Sequence, residues 1–332
     1  MTSSDHRVRF GIIGFGRFAE KAIAPAFREC PAVELVALQK RSLTAAREKA
    51  ALWGVPLAFD SAEALARHPS VDAVFIVSAN STHCPETLAA ADAGKHVLVE
   101  KPMAMNAREA ERMIETCERK RVKLMVGHMV RLSPLVRRVR EVVASGTLGR
   151  IVYARADFIY DARMSQRHWL RDRAVAGGGP IFDVGVHCID TLRYVLDDEV
   201  ASITGQLSPP PTATATEEVA ELALKFTRGT VGAVLCSYRA AFRRRFIEVI
   251  GEEGIVQAPE FTATGLTLPL TTTLGRDDRP TETKVEQIPV PDLYVEEIRH
   301  FAECILHDKE PELSGWNGLQ NQKLLDQVMP GG

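Results

Sequence analysis

Four absences narrow what this chain can do. Charge of one sign is not in excess, because 41 Lys and Arg stand against 43 Asp and Glu, a formal net charge of −2. No basic field draws in nucleic acid or an anionic membrane surface, so neither is expected as a partner. No run of about 18 apolar residues occurs, which excludes a membrane-spanning helix. No C-x-x-C pair occurs among Cys30, Cys84, Cys117, Cys188, Cys236 and Cys304. A zinc ribbon or dithiol centre is therefore not expected, and no metal site is assigned. Reduced, buried thiols are the expectation. The opening MTSSDHRVRF has no apolar core of a signal peptide, so the expected address is the cytoplasm. What remains is a chain of 332 residues, 45% hydrophobic and 25% charged. At roughly 150 residues per domain it has room for two globular domains.

The first part alternates short apolar runs with helical patterns. Strand candidates are residues 9–14, 33–39, 55–59, 72–78, 96–100 and 123–128. Helices are expected from Arg17 to Glu29, from Leu43 to Trp53 before Gly54, over 84–94, and from a cap at Asn106 to Arg121. This alternation predicts a parallel sheet covered on both faces. The second part reads differently. Residues 133–146 form an amphipathic helical pattern, with Ser133 as cap and Pro134 in the first turn. Then 151–160 alternates, 219–238 reads as a hairpin turning at Arg228-Gly229, and 246–258 as another turning near Glu253-Gly254. Such strands predict a mostly antiparallel sheet. Two helices, Val295–His307 and Gly318–Val328, close the chain, and the boundary is expected near residue 128.

Strand one runs into GIIGFGRFA, in which Gly14, Gly16 and Ala19 fit G-x-G-x-x-G/A. The first Gly makes the turn, the second lets backbone approach a pyrophosphate, and the small third residue lets helix pack on strand. The helix amino end then offers N–H groups to phosphate. Phe15, Arg17 and Phe18 belong to the same turn and are counted as cofactor contacts. A ribose-binding Asp or Glu is usual about 20 residues on. Here Gln39-Lys40-Arg41-Ser42 occupies that region. Lys40, Arg41 and Ser42 suit a 2′-phosphate, so NADP is expected over NAD.

Two further clusters carry chemistry. Glu100-Lys101-Pro102 ends the fifth strand, and strand carboxyl ends are where open parallel sheets hold ligands. GGGPIFDVGVHCID places Asp183 and His187 four apart, on one face of a helix, with Asp190 continuing the stripe. Removing hydride from a carbinol carbon requires removing the hydroxyl proton. An imidazole with a reference pKa of about 6.5 suits that task, and an ammonium favours the developing alkoxide.

Together these segments resemble the glucose–fructose oxidoreductase/inositol dehydrogenase/rhizopine catabolism (Gfo/Idh/MocA) family of NAD(P)-dependent oxidoreductases. The resemblance covers nearly the whole chain. It implies an N-terminal Rossmann domain, residues 1–128, and a C-terminal α/β domain, residues 129–332, whose large, mostly antiparallel open sheet mediates dimer or tetramer formation. It implies Lys101, Asp183 and His187 as the catalytic set, with His187 moving the proton and Lys101 orienting substrate. It implies cofactor contacts at Ser78, Ala79, Asn80 and His83, and at Glu100 and Lys101. The family frequently has Trp-Arg before the triple glycine. Here Trp169-Leu170 stands there, with Trp169 kept as a cofactor contact and Arg171 as the nearest replacement for the Arg. Gly127-His128-Met129-Val130-Arg131 lacks an amide common in the family.

The reading is an enzyme acting on a secondary alcohol or ketone of a sugar, sugar derivative or cyclitol. The alternatives on the same fold are a non-catalytic dinucleotide-binding sensor and a redox-neutral enzyme with tightly held cofactor. Tyr160, Asp161, Arg163, His168, Trp169 and Arg171 are candidates to bond substrate hydroxyls. Arg243-Arg244-Arg245 reads first as a solvated charge run.

Overall fold

The computed structural model describes residues 7–276 and 278–329, so the opening stretch through residue 6 lies outside it. The described residues gather into two compact units. One holds the residues up to Gly127 together with Tyr294–Gln322; the other holds His128–Leu293 and the residues from Lys323 on.

The first unit is built on six parallel strands: β1 (Val8–Ile13), β2 (Val33–Gln39), β3 (Leu57–Phe59), β4 (Ala73–Ile76), β5 (His96–Val99) and β6 (Leu124–Val126). Their order is β3-β2-β1-β4-β5-β6. The chain therefore reverses direction across the sheet between β1 and β4, which opens a crevice at their carboxyl ends. The expected alternation is present, with α1 (Ala24–Glu29), α2 (Leu43–Trp53), α3 (Ala62–Ala66), α4 (Asn80–Asp92) and α5 (Ala107–Lys120) as the helices. The first helical stretch is not uniform. Residues Ala19–Ile23 form a π-turn in which Ala24 N donates to Ala19 O. Pro25 follows and lacks an N–H, so the usual bond to Lys21 O has no donor. Gly54 ends α2 in the left-handed region (φ +70°), and Asn106 Oδ1 caps α5 by accepting from Glu109 N at 3.0 Å. Helix α4 starts at Asn80, four residues before the expected 84, with Pro85 inside it. α3 was not expected.

The second unit opens with α6 (Pro134–Ala144). It then builds an eight-stranded sheet from β7 (Ile151–Asp161), β8 (Val200–Ser208), β9 (Val219–Phe226), β10 (Val231–Ser237), β11 (Arg239–Gly251), β12 (Gly254–Pro259), β13 (Leu266–Arg276) and β14 (Arg279–Val290). Helices α7 (Arg173–Ala176) and α8 (Val186–Leu196) lie between β7 and β8 in the chain. The order is β14-β13-β12-β11-β7-β10-β9-β8, antiparallel throughout except for the parallel β7–β10 pair. Both expected hairpins form. β9 alternates without a break, burying Ala220, Leu222, Leu224 and Phe226 and exposing the residues between. The strands β8, β13 and β14 were not read. β14 is exposed along nearly its whole length and so has no buried face to give a period. Two helices end the chain, α9 (Leu293–Leu306) and α10 (Gly315–Val328), and their residues Tyr294–Gln322 belong to the first unit. No helix among the described residues is long and apolar enough to cross a membrane.

Candidate active site

The glycine turn lies where β1 meets the crevice. Gly14 has φ +82°, and a Cβ there would stand 2.6–2.7 Å from the backbone and Cβ of Ser78. The turn after β1 and the turn after β4 therefore touch, and only glycine permits it. Gly16 differs: a Cβ there would meet only Gly14 O, at 3.7 Å. Its outer side is open, as a phosphate-binding backbone requires. Gln39 holds the turn twice, since its Oε1 accepts from Gly14 N at 3.0 Å and its O from Phe15 N at 2.8 Å. The Phe15 ring is buried edge-on to Trp53, which leaves only its backbone to the turn. Phe18 packs edge-on to Tyr294, Arg17 is exposed, and Ala19 is buried as the small residue should be. The turn fits a dinucleotide pyrophosphate.

The polar residues after β2 separate in role. Lys40 Nζ donates to Phe15 O at 2.7 Å and so braces the glycine turn. Ser42 caps α2 by accepting from Ala45 N at 3.4 Å. Arg41 is exposed and makes no ion pair among the described residues.

The turn after β4 begins at Ser78 and Ala79, and Asn80 opens α4. Thr82 Oγ1 donates to Ser78 Oγ at 2.7 Å, with Ala79 O at 2.9 Å, and Ser78 Oγ lies 2.5 Å from Glu86 Oε2. His83 is buried, with Nδ1 2.9 Å from Pro102 O and Nε2 3.3 Å from Ser78 O. Burial lowers it to about 4, so it is neutral and ties the turn after β4 to the one after β5. In that second turn Glu100 is buried, its Oε2 accepts from Lys101 N at 3.1 Å, and Lys101 is half-buried before a cis Pro102.

One group here was missed. Glu297 of α9 is 0% exposed, and neither carboxyl oxygen has a hydrogen-bond partner. Burial pushes it far above the carboxylate range, and the charge of Glu100 pushes the same way. Its position four residues from both Leu293 and Phe301 puts it in an apolar helical stripe. That misplacement was the available signal.

In the second unit, residues Ile181–Gly185 form a π-turn in which Val186 N donates to Ile181 O, and α8 follows. The glycines before it are packing residues. A Cβ on Gly178 would stand 2.5 Å from the Phe182 ring, and one on Gly179 would stand 2.0 Å from Glu217 O. The buried Glu217 carboxylate accepts from Gly179 N at 3.0 Å and Ile181 N at 3.1 Å, capping the turn from the loop before β9. Asp183 and His187 are 8% and 7% exposed. Asp183 accepts from Tyr160 Oη at 2.7 Å and from Arg167 at 3.2 and 3.3 Å. Burial, with Asp183 beside it, pushes the Tyr160 phenol above its ordinary range. His187 stacks on Phe158, with centroids 6.4 Å apart. Asp190, the third member of the stripe, has another role. Buried at 1% exposure, it accepts from Arg131 at 2.7 and 2.8 Å, and the Arg131 charge, overcoming burial, holds it far below the carboxylate range.

Of the substrate-contact candidates, Tyr160 is engaged with Asp183. Asp161 pairs with Arg163 at 2.6 Å, and Trp169 packs against Ala162, Leu170 and Tyr238. Arg167 was missed because nothing in a loop sequence marks which carboxylate it meets. A cavity of about 320 Å³ is lined by Arg163, Arg171, Thr216, Glu218, Tyr238 and Arg239. Each of its cations already has acceptors: Arg163 has Asp161, Arg239 has Glu218, and Arg171 has the carbonyls of Ala162 and Arg163. Arg243 lies over the Tyr160 ring, Arg244 pairs with Asp157 and Arg245 with Glu260, so the run is ordered by partners. No group of three His, Cys, Asp or Glu among the described residues could hold a metal.

Comparison with known proteins gives consistent matches. The sequence model described as the oxidoreductase family with an NAD-binding Rossmann fold matches residues 8–128, and the GFO/IDH/MocA C-terminal domain matches 136–257. The chain is 29% identical to a D-xylose 1-dehydrogenase [NADP(+)] of Haloarcula marismortui, over 96% of this chain and 89% of that enzyme. It is 32% identical to a 1,5-anhydro-D-fructose reductase of Ensifer adhaerens, over 74% of each. Among solved structures, the aldose-aldose oxidoreductase of Caulobacter crescentus, complexed with glycerol, superposes with a TM-score of 0.84 at 26% identity, covering 96% of each chain.

Proposed function

Because this chain belongs to the GFO/IDH/MocA family of oxidoreductases with an NAD-binding Rossmann fold, we propose that it transfers a hydride between a nicotinamide dinucleotide and a secondary alcohol, or the matching ketone, of a sugar, sugar derivative or cyclitol. The relatives named for xylose and anhydrofructose support that substrate class. The observation that carries the reading is the buried Asp183 of the π-turn followed by the buried His187 of α8, with Asp183 anchored by Tyr160 and Arg167. A carboxylate anchored on two sides is preorganised, so little reorganisation accompanies charge movement at the neighbouring imidazole.

A bound nicotinamide would supply the hydride acceptor for the carbinol carbon in the oxidative direction. His187 takes the hydroxyl proton and returns it in the reductive direction. Lys101 supplies an ammonium to the developing alkoxide and orients the hydroxyl. The open side of Gly16 receives the pyrophosphate, and Ser78, Ala79 and Asn80 line the nicotinamide end. Arg41 is the group left to meet a 2′-phosphate, since Lys40 braces the turn and Ser42 caps a helix. NADP is the preferred cofactor in this reading.

Two further elements belong to it. Tyr153, Ala233 and Leu235 are half-buried and Val231 is 51% exposed on one face of the eight-stranded sheet. That face supports a homodimer or homotetramer, checked by light scattering. The six free, buried cysteines support a cytoplasmic setting. A panel of aldoses, inositols and ketosugars, each with NAD and NADP, tests the function. No turnover of any polyhydroxylated substrate with either cofactor would refute it.

A further inference from the structure

The chain of side chains behind Ser78 has a direction that can reverse. Ser78 stands against Gly14 at the meeting of the two cofactor turns. Its hydroxyl has one hydrogen to give. Thr82 Oγ1 donates to it at 2.7 Å, and Glu86 Oε2 lies on its other side at 2.5 Å. An ionised Glu86 can only accept, and with the single Thr82 hydrogen turned to Ser78 Oγ or Ala79 O the Ser78 hydrogen is the one that points to it, leaving lone pairs toward the crevice. A protonated Glu86 donates to Ser78 Oγ, and the Ser78 hydrogen is then released to donate outward. His83, 3.3 Å from Ser78 O, fixes the backbone while the hydroxyl rotates.

We propose that Glu86 is a positioning residue for the dinucleotide: its carboxyl sets whether the Ser78 hydroxyl points back into the protein or out to an acceptor oxygen of the bound cofactor. Nothing else in the site assigns Glu86 a role, and the inference rests on the cofactor reading above. Burial pushes Glu86 up to about 7 against the lowering by Ser78 and Thr82, so both forms are populated near neutral pH. The groups that face it are those two hydroxyls. The ionisable groups of the packed elements are engaged elsewhere. Glu63 of α3 pairs with Arg67, Glu109 of α5 accepts from Met105 N, Arg112 of α5 acts on Cys84, and His96 of β5 accepts from Lys123 N. On α4 itself His83 stays neutral, lowered to about 4.

An acceptor-rich, anionic ligand favours the protonated form, so binding takes up a proton at Glu86. Affinity is full below the titration of Glu86 and weakens as pH rises through it. Calorimetric titration of the whole protein with NADP and with NAD, from about pH 6 to about pH 8, reads this directly. Kd should rise roughly threefold to tenfold across that range in the wild type, tenfold corresponding to a displacement of the titration by about one pH unit on binding. At pH 7 the binding enthalpy should depend on the ionisation heat of the buffer. Glu86→Gln donates at every pH, so its Kd should be flat and equal to the wild-type value at low pH. Ser78→Ala should be flat and weak. A wild-type Kd that does not change with pH, or a slope that persists in Glu86→Gln, would overturn the proposal alone. Failure to bind either dinucleotide at any pH would overturn the cofactor reading and this proposal with it.

Discussion

Tyr160 Oη stands 2.7 Å from Asp183 Oδ2, and Arg167 Nη2 donates to that same phenol oxygen at 2.9 Å while also reaching the carboxylate. The three groups form a closed triangle in which each hydrogen bond orients the others. Tyr160→Phe removes one donor from a buried charge, a loss of about 1.5–3 kcal/mol. The melting temperature should fall by several degrees, and turnover by roughly tenfold as Asp183 loses its fixed orientation. Thermal unfolding and steady-state kinetics on one preparation check both, and unchanged turnover would separate Tyr160 from the chemistry.

His187→Ala should lower turnover by about 10²–10⁴, the usual worth of positioned acid–base catalysis. Dinucleotide binding should survive, because the glycine turn belongs to the other compact unit. Turnover close to wild type on the best substrate would remove His187 from the proton-transfer role.

The two glycines of the turn should fail differently. Gly14→Ala places a Cβ into Ser78 backbone from a positive φ, so the fold itself loses stability. Gly16→Val has open space around its Cβ and should fold normally, yet lose dinucleotide affinity by roughly 100-fold as phosphate contacts of about 1.5–3 kcal/mol each are blocked. Melting curves beside calorimetric titrations distinguish the two. Full affinity in a folded Gly16→Val protein would put the cofactor elsewhere.

Arg41→Ala should weaken NADP about tenfold or more while leaving NAD nearly unchanged, because a charge-assisted contact to phosphate is lost. Lys40→Ala should weaken both cofactors alike, since Lys40 acts through the Phe15 carbonyl. The double change Lys40→Asp with Arg41→Ala should shift preference toward NAD. Equal dissociation constants for the two cofactors in the wild type, at one ionic strength, would refute the preference.

Glu297 makes the stability of the first unit depend on pH with an unusual sign. Its folded form holds a proton that the unfolded chain releases above the ordinary carboxylate pKa. Folding therefore takes up a proton, and the cost grows as pH rises from the unfolded pKa toward the raised folded one. Glu297→Met fills the same apolar stripe without an ionisable group. It should raise the melting temperature more at about pH 8 than at about pH 5. An equal change at both would mean that Glu297 is not held protonated.

The candidate site was readable where backbone geometry or an apolar surrounding makes a residue type stand out. Gly14, Gly16 and Ala19 announce a turn, and Asp183 with His187 stand out as polar residues in an apolar helix. The supports were not readable. Gln39 secures Gly14 across 25 residues, Glu217 caps Gly179 across 38, and Arg167 meets Asp183 from a loop. Each is an ordinary polar residue whose partner only the fold selects. The pattern of the second sheet was legible in β9 and β10, where one face is buried, and lost in β14, where almost none is.

The π-turn at Ile181–Gly185 makes residue count a determinant of how Asp183 and His187 are placed. It uses one more residue than an α-turn to cover the same advance, and its two ends are pinned separately, by Glu217 at Gly179 and Ile181 and by the buried face of α8. A chain lacking Val184 would close as ordinary helix and rotate one end against the other by about 100°. It could keep Asp183 against Tyr160 or keep His187 stacked on Phe158, but not both. Insertions and deletions in this stretch therefore act as severely as replacement of Asp183 itself, although no side chain of the pair is altered.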